Sequence, residues 1–294
     1  MSETGPTTAA ASAPVKGIAL MVAGAGFLTA NDAVIKWLAA GYPVGEIMFF
    51  RGLFVLPALI LLSWRVGGAL ALGVRDWKGQ AVRAALSIAG SLCFVFALKL
   101  MALADAVAIE FAAPLILVAL AAPLLGERVS WRRWVAVVVG FLGVLVMLRP
   151  GSGALHWVVA LPLGAALAGA LKDLLTRRLA ATETSASMLA FASLAIALGG
   201  LATLPFGWRV PDWEAIRLFA ATGVLHGLAG YLLIETFRHA EAAVVSPFRY
   251  TAMVWAVILG LVVWGDVPDG WTIAGSLLIG GSGVYVLSRV RRPS

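Results

Sequence analysis

"ADAVAIEFAAPLILVALAAPLLGERVSWRRWVAVVVGFLGVLVML", residues Ala104–Leu148, is answered later by "EAAVVSPFRYTAMVWAVILGLVVWGDVPDGWTIAGSLLIGGSGVYVL", residues Glu241–Leu287. Gly126-Glu127 of the first aligns with Gly265-Asp266 of the second. After one inserted residue, Trp131 aligns with Trp271, Gly140 with Gly280 and Gly143–Val146 with Gly283–Val286. Earlier in the chain "NDAVIKWL" (Asn31–Leu38) aligns with "KDLLTRRL" (Lys172–Leu179). Each match is weak alone. A common offset of 139 to 141 residues across three apolar segments marks an internal repeat.

The solvent of that repeat follows from composition. Of 294 residues 61% are apolar and 13% charged, against about 45–50% and about 25% in soluble domains. Apolar windows of about 20 residues, enough to span a bilayer as a helix, recur along the whole chain. Ten spans are expected, at 16–38, 43–64, 77–101, 104–125, 131–148, 156–179, 184–206, 214–237, 241–264 and 270–288. The fold class is therefore an all-α polytopic membrane protein with ten transmembrane helices. A polar N-terminal tail (1–15) precedes a first five-helix repeat (16–148), a second (156–288) and a basic C-terminal tail (289–294). Because five is odd, the second repeat enters the membrane inverted relative to the first, the design of many secondary transporters.

The net charge of +7 follows the same topology. Lys16, Arg65, Arg75, Lys78, Arg132, Arg133, Arg178, Arg238 and Arg289 fall on one side, chiefly Arg149 and Arg209 on the other. The positive-inside rule places both termini in the cytoplasm of a multi-pass protein of the cytoplasmic (inner) membrane. The cations face anionic headgroups, and no nucleic-acid partner is expected. Cys93 is the only cysteine, which excludes an internal disulfide and a Cys-based metal site. The absence of an H-E-x-x-H motif, a P-loop and a paired-aspartate prenyl-diphosphate motif argues against an enzyme or an ATP-driven pump. No cofactor is expected.

Two five-helix halves with a Gly-Glu/Asp turn after the fourth helix of each resemble the drug/metabolite transporter superfamily, EamA-domain branch. The resemblance covers roughly residues 16–288 and leans toward amino-acid exporters of the YddG type. It departs from the common pattern where Met253 stands opposite Pro114 and Asp266 replaces Glu. It implies eight helices around a central cavity, the fifth and tenth packed outside, and alternating access by rocking of the halves.

Charges within the spans give candidate site residues. The offset places Glu110 on Arg249 and Phe111 on Tyr250. At about 1.5 Å per residue, Glu110 lies roughly 9 Å from one boundary and Arg249 roughly 12 Å from the other. A mid-bilayer charge costs on the order of 2.5–3.5 kcal/mol, so both face a partner or a wet cavity: a structural ion pair and a substrate site are both open readings. Pro114 leaves the Glu110 carbonyl without its helical donor, as Pro247 does for Ala243. Arg51 lies too deep to snorkel and is a cavity or gate candidate, with Glu46 as its interfacial neighbour. Asp32/Lys36 and Asp173/Arg177 are either intrahelical pairs or gates on opposite faces, flanked by Asn31 and Lys172. His226 is a proton relay or a histidine hydrogen-bonded inside the bundle. Trp255 and Phe94 are expected as cavity walls. Lys99, Arg83, Arg217 and Glu235 read as snorkelling residues; Trp64, Trp77, Trp208, Trp213 and Trp271 as interfacial anchors.

The expected function is secondary transport of a small amphipathic metabolite, foremost an aromatic or large neutral amino acid, by export. The alternative is a cofactor, nucleotide-like metabolite or drug on the same fold. Arg249 would hold a substrate carboxylate and Glu110 its ammonium. Small residues at Ala136/Gly140/Gly143 and Ser276/Gly280/Gly283 suit close packing of helices five and ten, and permit a homodimer as well as a monomer.

Overall fold

A computed structural model describes residues 8–66, 73–113, 115–117, 119–120, 131–148, 157–179, 182–239 and 246–290, and side chains for most of those from Val15 onward. Ten α-helices are present among them: α1 (Thr8–Ala39), α2 (Val44–Val66), α3 (Trp77–Leu100), α4 (Leu103–Glu110), α5 (Trp131–Leu148), α6 (Ala160–Leu179), α7 (Ser185–Leu201), α8 (Trp213–His239), α9 (Thr251–Trp264) and α10 (Gly270–Val290). No strand occurs among the described residues. Short 3₁₀ segments occupy Leu204–Phe206 and Ser246–Tyr250. Three helices are long and apolar enough by composition to cross a membrane, at Val15–Ala39, Trp77–Leu100 and Trp213–Leu233, and shorter apolar helices accompany them.

Helix starts are written locally. Asp76 accepts from the N–H of Gly79 at the head of α3, Asp212 from Ala215 at α8, and Asp269 from Thr272 at α10. Thr184 does the same for α7 by accepting from Ser187. Each satisfies a backbone donor that the first helical turn leaves unpaired. Trp77, Trp213 and Trp271 follow such starts, Trp131 heads α5, and all four are exposed, as interfacial rings should be. Trp208 departs from that reading: its indole N–H reaches the Thr203 hydroxyl and its ring packs on Phe49 and Phe50.

Helix pairing carries the symmetry. α1 packs on α8 and α3 on α6, while α2 pairs with α7, α4 with α9 and α5 with α10. Numbering each half one to five, first meets third in both directions, and second, fourth and fifth meet their own counterparts. A two-fold axis relating the halves requires that set. Its direction follows from glycines at the seams. A Cβ on Gly52 would lie 2.7 Å from the Ser193 carbonyl, whereas one on Gly45 would strike Thr203, so α2 and α7 run antiparallel. Gly140 meets Ser282 while Gly143 meets Gly275 and Leu278, so α5 and α10 are antiparallel as well. The axis therefore crosses the helices, and the halves are inverted. The small-residue faces of α5 and α10 do pack on each other. Outward, α5 exposes Val135, Val138, Leu142 and Leu145, the apolar stripe that lipid covers.

Among the described residues, two of the ten spans depart from continuous α-helix. α4 ends at Glu110, turns through 111–112, and helical backbone is described again at 113, 115–117 and 119–120. On the ninth span, the 3₁₀ segment Ser246–Tyr250 precedes α9. This accords with the prolines noted in the sequence, since neither Pro114 nor Pro247 has an N–H to close a preceding turn.

Carboxylates near the membrane faces tie one half to the other. Glu183, ahead of α7, accepts from the backbone N–H groups of Arg75 and Asp76 at 2.7 and 2.6 Å, from the Gln80 amide and from the Ser187 hydroxyl. On the opposite face Glu46, in the first turn of α2, accepts from the N–H of Arg209 at 3.1 Å. Glu46 thus clamps the loop before α8 and is not a hydrogen-bonded neighbour of Arg51. Asp105 of α4 accepts from the Thr272 hydroxyl of α10 at 2.9 Å. Arg83 does not snorkel: it is buried, donating to Thr176 Oγ1 at 2.8 Å and to the Met188 carbonyl at 2.7 Å.

Two outcomes follow. Gly52→Leu drives a side chain into the α7 backbone and should cost about 1–3 kcal/mol, read as a lower melting temperature in detergent, whereas Gly41→Leu, with nothing within 4 Å of its added Cβ, should cost far less. Burial works to raise the Glu183 carboxyl, but the Asp76 and Arg75 N–H groups, the Ser187 hydroxyl and the Gln80 amide outweigh it and hold it below the usual carboxylate range. With the folded value depressed, its stabilisation is complete above the unfolded value of about 4.3 and is lost as pH falls through the folded value. Glu183→Gln should therefore melt below wild type at neutral pH, and the gap should close as melts are repeated at falling pH beneath that value.

Candidate central site

The breaks in the fourth and ninth spans lie side by side. The rings of Phe111 and Tyr250 stand 4.9 Å apart at 36°, joining two residues that the repeat makes equivalent. Their neighbours Glu110 and Arg249 are thereby brought to the same level. A helix interrupted at membrane depth frees backbone groups, which persist only where protein or a water-filled cavity surrounds them.

Charges from five elements converge on that level. Glu110 lies within electrostatic range of Arg249, Lys172 and Arg51, and Asp32 within range of Glu110 and Arg51. His226 of α8 lies within range of Arg51 and Lys172. Arg249 is exposed, and Asp32, Arg51, Glu110, Lys172 and His226 are half-buried. Ionisable groups at membrane depth face the bundle interior or a water-filled cavity in preference to lipid. Among the described residues none of these carboxylates makes a direct ion pair with these cations. Glu110 and Arg249 make no direct ion pair, and two carboxylates and three cations lie within electrostatic range of one another as a cluster.

Neutral groups complete the lining. Asn31, 1% exposed, donates from its amide to Asp32 at 3.1 Å, while its own carbonyl oxygen is buried without a partner. The Tyr250 hydroxyl and His226 Nδ1 are likewise buried and unpartnered among the described residues. Trp255 donates to the Val22 carbonyl at 3.1 Å and lies against Gly26, where a Cβ would approach its ring to 3.1 Å. Glycine at 26 is what admits that indole between α9 and α1.

The remaining candidates fall elsewhere. Phe94 is buried in the main core with Val95 and Leu98 and is not one of the rings at the helix breaks. Lys36 does not pair with Asp32: its ammonium donates to the Leu98 and Met101 carbonyls at 3.2 and 2.6 Å and lies 5.4 Å from the Trp264 ring. It caps the C-terminus of α3, where free carbonyls favour a cation. Asp173 is exposed and faces Arg83 electrostatically, and the Arg177 side chain lies outside the described residues. Asp32 thus joins the central cluster without Lys36, and Asp173 lies near Arg83. Sequence reading had given Asn31 only a flanking place and had missed the Glu183 and Glu46 clamps. The dipeptide Asp-Trp, at 76–77 and 212–213, was the available signal for the loops they hold.

Comparison with known proteins agrees with this architecture. The model of the EamA-like transporter family matches residues 15–149 and again 156–289. The chain is 28% identical to a riboflavin transporter of Rhizobium johnstonii, covering 100% of this chain and 99% of the relative. It is 27% identical to an S-adenosylmethionine uptake transporter of Rickettsia prowazekii, covering 85% and 84%. It is 30% identical to a pseudopaline exporter of Pseudomonas aeruginosa, covering 90% and 93%. A solved crystal structure superposes with a TM-score of 0.67 over 96% of this chain and 99% of its own, at 21% identity, a likeness of fold. Two inverted five-helix repeats, each matched along its length, make the chain a member of the EamA-like transporter family, a transporter and not an enzyme.

Proposed function

We propose that the chain carries a cofactor-like or nucleotide-like metabolite across the cytoplasmic membrane by alternating access, binding it between the broken fourth and ninth spans. The observation that carries this reading is the meeting of Glu110–Phe111 with Arg249–Tyr250 through their rings, with Asp32, Arg51 and Lys172 within electrostatic range of that cluster. Charges of both signs suit a zwitterionic or polyfunctional solute, and the Phe111, Tyr250 and Trp255 rings suit a flat ring system. The relatives named above transport S-adenosylmethionine, riboflavin and pseudopaline. That range supports the cofactor or metabolite alternative over the amino-acid export first expected from the sequence. Arg249 holds an anionic group of the solute, Glu110 a cationic one, and both termini face the cytoplasm.

Liposomes containing the purified chain should exchange labelled S-adenosylmethionine or riboflavin, with unlabelled large neutral amino acids competing poorly. Arg249→Ala should lower that flux at least about tenfold, the loss of a charged contact worth roughly 1.5–3 kcal/mol. Flux of amino acids alone would overturn the substrate class, and full flux through Arg249→Ala would overturn the site. In a Cys93→Ala background, cysteines replacing Phe206 and Lys78 should be labelled by an impermeant thiol reagent from outside and inside respectively; labelling from the same side would overturn the topology.

A further inference from the structure

A crevice of about 350 Å³ opens between α5 and α10, away from the central site, lined by Trp131, Arg132, Val135, Ala136, Gly281 and Tyr285. Its composition changes along its length. At the head of α5 stand Arg132 and Trp131, with the guanidinium carbon 5.7 Å from the indole ring centre. Deeper in, Ala136 and Gly281 leave room, and a Cβ on Gly281 would meet nothing within 4 Å. The apolar part continues onto the exposed Val135, Val138 and Leu142 stripe. Trp131 is 70% exposed, which sets the mouth of the crevice at the level where amphipathic rings meet headgroups.

The inverted repeat supplies an internal control. The 140-residue offset carries Arg132 onto Thr272, Gly281 onto Phe141 and Tyr285 onto Leu145. Thr272 is buried and donates to Asp105. Phe141 packs against the core clusters. At the equivalent place on the other face, therefore, the cation is replaced by a committed hydroxyl and the open glycine by a ring. Helix packing alone would have made the two ends alike. They differ in charge and in space together, and the cationic open end lies on the face that carries most of the chain's basic residues.

We infer that this crevice binds one phospholipid with an anionic headgroup, its phosphate on Arg132 and one acyl chain along Val135, Ala136 and Gly281. Charge complementarity selects the occupant. The cytoplasmic leaflet is anionic, and basic pockets between helices on that face hold acidic lipids. Among the described residues no carboxylate pairs with Arg132, and its stacking on Trp131 leaves the guanidinium edges to reach phosphate oxygens. A zwitterionic lipid offers the same chain and phosphate but covers the phosphate's charge with its own ammonium. The inference is independent of which solute the central site carries.

The test uses the full chain in detergent with phosphatidylglycerol or phosphatidylcholine of identical acyl chains, read by native mass spectrometry and thermal melting. Wild type should retain one phosphatidylglycerol per chain, with apparent affinity above that for phosphatidylcholine, and melt higher with it. Arg132→Ala should lower the preference roughly fivefold, the equivalent of about 1 kcal/mol per basic residue at an anionic surface, and Arg132→Lys should keep most of it. Gly281→Leu, which fills open space, should displace both lipids without lowering the melting temperature of the lipid-free protein. Equal retention of the two lipids, or an undiminished preference in Arg132→Ala, would overturn the inference. So would a chain dimer that dissociates on Gly281→Leu, since the crevice would then belong to a second copy.

Discussion

An interrupted helix is affordable in a bilayer only if something other than lipid receives the backbone groups it frees. That constraint organises this protein. The fourth and ninth spans break at positions the repeat makes equivalent, and the breaks meet through Phe111 and Tyr250. Because the unsatisfied carbonyls and the ionised side chains need the same polar surroundings, they are collected in one place. The central cluster is thus a consequence of the helix breaks as much as of the charges.

Seams between the halves show the complementary solution. Where α2 meets α7 and α5 meets α10, helices are continuous and the backbones approach until glycine is required at Gly52 and Gly143. Van der Waals packing of small residues is the main attraction available to apolar helices in lipid. Hydrogen bonds between the halves lie beside these seams: at the faces through Glu46, Glu183 and the Asp105–Thr272 pair, and within the bundle through Arg83 to Thr176 and Met188 and through Trp255 to Val22.

Much of this was legible in the sequence, for reasons that differ by feature. Ten spans were readable because a bilayer fixes helix length, and the α3–α4 split at Met101-Ala102 survived because both residues are extended. The Glu110–Arg249 equivalence was readable because an inverted repeat transfers position. The helix breaks were not, because a proline bends some helices and interrupts others according to what surrounds it. Lys36 was misread for a related reason. An (i, i+4) spacing permits the pair with Asp32, but the open C-terminus of α3, distant in sequence, offers two carbonyls instead. Arg83 likewise found Thr176 and Met188 across helix contacts that hydropathy does not encode.

The symmetry also restricts how the halves can move under the proposed mechanism. A state open to one face becomes its counterpart, open to the other, only if the motion is a rotation that the two-fold axis preserves. Rotation about the axis itself satisfies this: tilting the halves in opposite senses opens one end of the bundle as it closes the other. That axis passes through the α2–α7, α4–α9 and α5–α10 contacts, because each is its own symmetry mate. Backbone-close glycine seams on the axis pivot about their points of closest approach and serve as fulcrums. Groups at the faces lie farthest from it and travel most. Opening one face strains the Glu183 clamp on Arg75 and Asp76; opening the other strains the Glu46 clamp on Arg209 and the Asp105–Thr272 bond. Glu183 has four hydrogen-bond donors among the described residues where Glu46 has one. The two faces are therefore held by unequal sets of bonds, and the pseudo-symmetric fold need not weight its two open states alike.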